Sequence, residues 1–343
     1  MATTDGAVWV RRWLLASAVA VIATVVVGGA TRLTESGLSI TEWKPVAGVL
    51  PPMSDEAWNG AYQEYLRIPQ AQTVHRGITL GEFKVIFWWE WLHRLVARLV
   101  GVVFAVPFVY FYLRRRIPSG YTARLAALPV LTLAQGALGW YMVKSGLAGR
   151  TSVSQYRLAA HLSLALAILA VAVWTYLELG PPVSGAPASR AWRRWTMAAT
   201  GLIAVTVLAG AFTAGLGAGK MYNTFPLMDG AVVPGGYASL SPWWINPFEN
   251  PIAVQFDHRV LAILSAIVAL TLAWRAGSSG LPREAVRAVR VFGAVVLLQV
   301  ALGVTTLLLV VPVPLGVLHQ FVGSMALVAA VVAAQRVSAA GAV

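Results

Sequence analysis

The chain has 343 residues, 58% of them hydrophobic and 11% charged, with a formal net charge of +13 and a mean hydropathy of +0.70. A soluble domain carries roughly 25% charged residues, so this composition argues against a water-soluble globule and points to a bilayer. Lysines and arginines are scattered between apolar runs instead of lining one polar face, which argues against nucleic acid as a partner, and the absence of cysteine excludes disulfides and thiolate metal ligands.

A bilayer core takes about 20 mainly apolar residues per helix. The first such run, at about 11–30, follows Arg11 and Arg12 and lacks a small-x-small cleavage site before a soluble domain, so it reads as a retained span. A long segment follows, about 31–90, rich in Trp, Pro and Gly. Its tryptophans (Trp43, Trp58, Trp88, Trp89, with Trp91 just beyond) favour the headgroup level, so it is expected to lie along the membrane as a lid. Spans two to four are expected at 91–112, 122–143 and 157–178, and Pro-Pro-Val-Ser-Gly-Ala-Pro-Ala-Ser (181–189) reads as a linker. Spans five and six, at 194–215 and 255–274, flank a second lid-like segment, 216–254, with Trp243 and Trp244. The last two, at 289–311 and 315–335, are separated by Val-Pro-Val-Pro, which breaks the helix and permits a tight return.

Eight spans place both termini on one side. That side holds 14 of the 26 basic residues, including Arg114, Arg115, Arg116, Arg283, Arg287 and Arg290, against three acids; the other holds the remaining 12 basic residues and 10 acids. The bias of Lys and Arg over short loops sets orientation, so the termini are expected in the cytoplasm of a bacterial cell, with the chain in the inner membrane.

The two halves echo each other. Gly-Gly-Ala-Thr (28–31) ends span one and Ala-Gly-Ala-Phe-Thr (209–213) ends span five; Glu-Trp-Leu-His-Arg (90–94) matches Gln-Phe-Asp-His-Arg (255–259); Gln-Gly-Ala-Leu-Gly (135–139) matches Gln-Val-Ala-Leu-Gly (299–303). Four spans per half is an even number, so the halves enter the membrane in the same sense, as a parallel repeat. The expected architecture is an all-α integral membrane protein of eight transmembrane helices in two four-helix bundles. Its parts are an N-terminal half, 1–180, a cytoplasmic linker, 181–193, and a C-terminal half, 194–343.

Every even-numbered span carries one histidine within its first turns: His93, His161, His258 and His319. All four therefore sit at similar depth near the outer face, two per half. Ionisable residues in spans are costly and usually functional, and bundle cores build cofactor sites from facing helices. A pair of imidazoles can ligate a haem iron from both faces, giving a low-spin haem suited to electron transfer. Zinc would want a third or fourth ligand in each half, and no clear set of those is present. Arg94 and Arg259 directly follow candidate ligands, and Arg98 lies a turn deeper; guanidinium pairs with carboxylate, so these can hold haem propionates, with interfacial snorkelling as the alternative. His75, in the first outer segment, reads as a structural loop residue. Three residues before His93 stands Glu90, where the second half has Gln255. This carboxylate makes the halves unequal, either as a proton acceptor or stabiliser of positive charge or simply as the i+4 partner of Arg94.

At these residues the chain resembles a known family. Gly-Gly-Ala-Thr-Arg-Leu-Thr-Glu-Ser-Gly-Leu-Ser (28–39), Glu-Phe-Lys-Val-Ile-Phe-Trp-Trp-Glu-Trp-Leu-His-Arg (82–94), Tyr-Asn-Thr-Phe-Pro-Leu-Met (222–228), Asn-Pro-Phe-Glu-Asn (246–250), Val-Gln-Phe-Asp-His-Arg (254–259) and Leu-Gly-Val-Thr-Thr-Leu-Leu (302–308) are similar to strings of the haem A synthases of the mitochondrial and alphaproteobacterial branch. The resemblance covers nearly the whole chain. It implies an oxidoreductase that converts a ring methyl of haem O, through an alcohol, to the formyl of haem A for cytochrome c oxidase. It implies that His93 and His161 bracket the substrate, with Glu90 in catalysis and Arg94 and Arg98 beside it, and that His258 and His319, with Arg259, hold a permanent haem b. An electron donor, haem O synthase, oxidase assembly factors and a second copy of the chain are the partners it suggests. Some bacterial members carry a cysteine pair in outer loops; this sequence has none. The rival reading is a transmembrane b-type cytochrome, whose haems would be stacked across the bilayer; a transporter is weaker, since no broken midplane helix is evident.

Overall fold

The computed structural model describes residues 4–44 and 47–341. Its helices are α1 (Thr4–Leu33), α2 (Asp55–Leu66), α3 (Pro69–Thr73), α4 (Leu80–Leu113), α5 (Thr122–Lys144), α6 (Gln155–Glu178), α7 (Arg190–Gly215), α8 (Asn246–Glu249), α9 (Pro251–Arg275), α10 (Arg283–Leu308) and α11 (Val313–Ala339). Eight of them, α1, α4, α5, α6, α7, α9, α10 and α11, are long and apolar enough to cross a membrane. The chain is an all-α, multi-pass membrane protein, and among the described residues the only β pairing is an isolated bridge between Met228 and Ala231.

In the first half α1 packs on α4 and α6, and α5 on α4 and α6; in the second, α7 packs on α9 and α11, and α10 on α9 and α11. The two sets meet where α1 touches α11 and where α6 touches α7 and α11. These central helices fill the main apolar core, with Leu14, Leu169, Ala330, Ala333 and Val337 nearly sealed from solvent, whereas α5 leaves most of its surface for lipid. Near the outer end the join is polar as well as close. Arg32 of α1 donates to the carbonyls of Ala214 and Gly215 at the C-terminus of α7 (3.1 and 3.3 Å), where the helix dipole favours a cation. Gln320 of α11 donates to the Val25 carbonyl (2.9 Å) across Gly29, whose missing side chain leaves room for the amide.

Three local features depart from the expected spans. The helix that carries Glu90 and His93 starts at Leu80, not near 91, because Thr79 and Glu82 form a reciprocal capping box. Its 34 residues run to about 51 Å, longer than a bilayer core of about 30 Å, so its first turns stand outside. There they meet α2, with Phe83 against Tyr65. The first outer segment is accordingly no flat lid but a packed cap with its own core of Leu38, Trp58, Tyr65, Ile68, Phe83 and Phe87. On the opposite face, the segment expected as a linker is packed down: Val183 and Ala188 are buried, and α7 starts at Arg190 behind an Ser189 cap.

Candidate functional site

The four histidines of the even-numbered spans are seated in one way. A Cβ placed on Gly28 of α1 would lie 2.8 Å from Cε1 of His93 on α4; the corresponding distances are 2.9 Å for Gly139 of α5 to His161 of α6, for Gly210 of α7 to His258 of α9, and for Gly303 of α10 to His319 of α11. Real Cβ atoms do not approach this closely, so each imidazole rests on bare backbone of the preceding spanning helix. Matched hydrogen bonds fix the helix pairs at that level. Thr31 of α1 donates to the Trp89 carbonyl of α4 (3.2 Å), and Thr213 of α7 donates to the Val254 carbonyl of α9 (3.1 Å).

His258 and His319 face each other with ring centroids 6.4 Å apart and planes at 90°. A metal–imidazole nitrogen bond is about 2.0–2.1 Å, and the nitrogen lies about 1.1 Å from its ring centroid, so two rings on one iron stand roughly 6.3 Å apart. The observed gap fits that requirement. His258 Nδ1 lies 3.0 Å from the Thr206 carbonyl, which holds the tautomer that frees Nε2 for a metal. The Nδ1 atoms of His93 and His319 are buried without a hydrogen-bond partner. The His161 ring is touched by Gln135 Nε2 (3.1 Å to Nδ1), whereas Gln299 Nε2 approaches the other ring nitrogen of its histidine, Nε2 of His319, at 3.3 Å. Among the described residues, no three His, Asp or Glu side chains converge as a bare metal ion would need.

Glu90 is the main difference between the halves. It is 2% exposed, and both its oxygens are engaged. Oε2 accepts from Ser39 Oγ and from the Ile40 backbone N–H, each at 2.8 Å, while Oε1 accepts from Arg94 Nε and Nη2 at 3.0 and 2.6 Å. Arg94 also donates to the carbonyls of Ile40 (2.8 Å) and Glu42 (3.0 Å), Arg98 to that of Lys44 (3.1 Å) and Trp91 to that of Val49 (3.2 Å). A strip of the first outer segment is thereby laced along α4 beside His93. In the second half Gln255 and Arg259 grip Tyr222 and Thr224 through neutral carbonyl contacts of 2.6 to 3.1 Å, and Arg259 Nε is buried with no partner.

His75 sits away from this centre, in the outer cap. Its Nδ1 is 2.6 Å from the Tyr65 hydroxyl and its Nε2 is 3.6 Å from Glu35. Burial, and then the charges of Glu90 and Glu35, hold the Tyr65 phenol above its ordinary range, and its hydroxyl donates to Gln70 Oε1 at 3.2 Å. A basic cleft of about 420 Å³ opens at the outer ends of α5 and α6, lined by Lys144, Arg150 and Arg157. Arg157 stands one helical turn outward of His161.

Sequence reasoning left out the four glycine seats, Ser39, Ile40 and the Thr206 carbonyl. The glycines were within reach, since each lies in a string that recurs in the other half. Backbone groups such as Ile40 N–H carry no side-chain signal at all.

The chain was compared with known proteins. A family model described as cytochrome oxidase assembly protein (COX15-CtaA) matches residues 11–331. A heme A synthase from Sinorhizobium medicae (strain WSM419) is 49% identical over 312 residues, covering 91% of this chain and 85% of the relative. Another, from Caulobacter sp. (strain K31), is 48% identical over 331 residues and covers 96% of both. A third, from Bradyrhizobium sp. (strain BTAi1 / ATCC BAA-1182), is 46% identical and covers 98% of this chain and 93% of its own.

Proposed function

This chain belongs to the COX15-CtaA family of cytochrome oxidase assembly proteins, and we propose that its two histidine pairs hold two haems of unequal role, one the substrate and one a resident cofactor. The reaction is that of haem A synthesis. The chain is an enzyme, an oxidoreductase that takes haem O as substrate and oxidises a ring methyl to the formyl of haem A for cytochrome c oxidase. The observation that carries the haem reading is the separation of the His258 and His319 rings, 6.4 Å at 90°, matched to an iron between them.

In this assignment the C-terminal half, 194–343, keeps haem b on His258 and His319, with the free Nε of Arg259 available to a propionate. Such a bis-histidine haem, when bound, supplies one-electron transfer. The N-terminal half, 1–180, takes haem O between His93 and His161. Arg94 and Arg98 act there by fixing the 40–44 strip over the site, and the cleft of Lys144, Arg150 and Arg157 offers the propionate edge a basic mouth. Glu90 accepts four hydrogen bonds, two of them from the Arg94 guanidinium. Its role is to stabilise positive charge that develops at the methyl carbon, on the way first to the alcohol and then to the aldehyde.

The positive-inside bias supports a bacterial inner membrane with the arginine-rich face toward the cytoplasm; the terminal residues 1–3 and 342–343 lie outside the described structure. Haem O synthase and oxidase assembly factors are the expected neighbours, with an electron donor and a second copy of the chain. His258→Ala should remove haem b while haem O binding survives, and His93→Ala should do the reverse. Equal loss of both pigments in both variants would contradict the division.

A further inference from the structure

At the end of the molecule opposite the histidines, α10 opens with Arg283, Arg287 and Arg290. Their i, i+4, i+7 spacing places them on one helical face, and all three are exposed. With Gly277, Leu281 and Val286 they line an open cleft of about 470 Å³ between the turn that follows α9 and the first turns of α10. Arg290 lies directly over Gly277, its Nη2 only 2.6 Å from where a Cβ would stand, so the glycine makes room for the guanidinium.

Among the described residues none of the three arginines forms an ion pair; Glu284, three residues before Arg287, neighbours that arginine on the helix surface but does not line the cleft. The same face of the first half is built differently: Arg124 of α5 is paired with Glu178 of α6, which also accepts from Trp174 Nε1 at 3.0 Å. Pro282 caps α10 without a side-chain hydrogen bond, so the free N–H groups of the first turn add to the positive field. Trp274, 78% exposed at the end of α9, marks the headgroup level.

We propose that this cleft binds the phosphate-bearing headgroup of an anionic phospholipid. Guanidinium groups match phosphate oxygens bidentately, and basic pockets between transmembrane helices on the positive face are suited to such lipids. Leu281 and Val286 supply the apolar wall that a glycerol backbone and acyl chain require. Free phosphate shares the anionic chemistry but would leave that wall unused.

The test is native mass spectrometry of the purified full chain, titrated with dioleoyl phosphatidylglycerol, dioleoyl phosphatidylcholine or inorganic phosphate, the haem spectrum reporting that each variant is folded. Phosphatidylglycerol should be retained about tenfold more tightly than phosphatidylcholine. The preference should vanish in Arg283→Gln/Arg287→Gln/Arg290→Gln and in Val286→Trp, which fills the cleft and keeps the charge. It should persist in Arg114→Gln/Arg115→Gln/Arg116→Gln, which removes as much charge from the same face. Equal loss in that last variant would reduce the effect to diffuse attraction and overturn the site, as would an unchanged Val286→Trp. Displacement of the lipid by equimolar inorganic phosphate would assign the cleft to the free anion instead.

Discussion

A Cβ added at Gly210 would stand 2.9 Å from Cε1 of His258, and the imidazole has little freedom to retreat because its Nδ1 is tied to the Thr206 carbonyl at 3.0 Å. Gly210→Ala should therefore tilt the ring, cost about 1–3 kcal/mol in overpacking and replace a low-spin haem spectrum with a high-spin or pigment-free one; an unaltered spectrum would show that the seat is incidental. Glu90→Ala strands Arg94 in a largely buried place and should lower stability by about 3–5 kcal/mol, measured as a drop in Tm. Glu90→Gln keeps one oxygen to accept from Ser39 and Ile40 and fills the same volume, although its amide N–H2 then faces the Arg94 donors; it should lose less stability than the Ala variant, bind haem O and still lose most haem A production. Full production in the Gln variant would remove the charge from the mechanism. The four histidines and the Glu90/Gln255 difference were legible in the sequence because side-chain type carries them. What the carboxylate touches was not, since Ile40 reaches it through a backbone N–H.

Among the elements, α4 departs most from its apolar pattern. Hydropathy marks where lipid begins, not where the helix does, and the Thr79–Glu82 capping box sets the start eleven residues before the expected 91. That motif was readable, as was the Ser54 cap followed by Asp55 and Glu56 that opens α2. The aromatic face of α2 makes a poor aliphatic signal, so its packing on α4 could not be seen without the partner. Thr79→Ala should cost about 1 kcal/mol and speed hydrogen exchange over the first turns of α4 and in α2, leaving the haem-level amides of α4 unchanged. Uniform exchange along α4 would mean the cap does not anchor the outer segment. In the second outer segment the motif asparagines do the stapling: Asn223 bonds Leu307 (2.8 Å), and Asn250 bonds Gly236 and Tyr237 (2.7 and 3.1 Å).

For the whole molecule, helix order and histidine depth combine to put both pairs at one end of the bundle, with the halves joined there by Arg32 and Gln320. Under the proposed assignment, haems on these pairs would lie side by side near one face, which suits electron exchange between a cofactor and a neighbouring substrate; a relay across the bilayer would stack them. The spans were legible because the bilayer enforces length and composition, whereas the meeting of α1 with α11 depends on shape complementarity at Gly29 that no single strand of sequence displays. Loss of the Arg32 contacts in Arg32→Ala should lower Tm by a few degrees and slow electron passage between the two pigments while leaving each one's absorption intact. The central claim is that one pair holds a cofactor and the other a substrate, and chromatography of the pigments extracted from the purified, intact chain tests it most directly: haem b together with haem O or haem A is the predicted result, and haem b alone would contradict it.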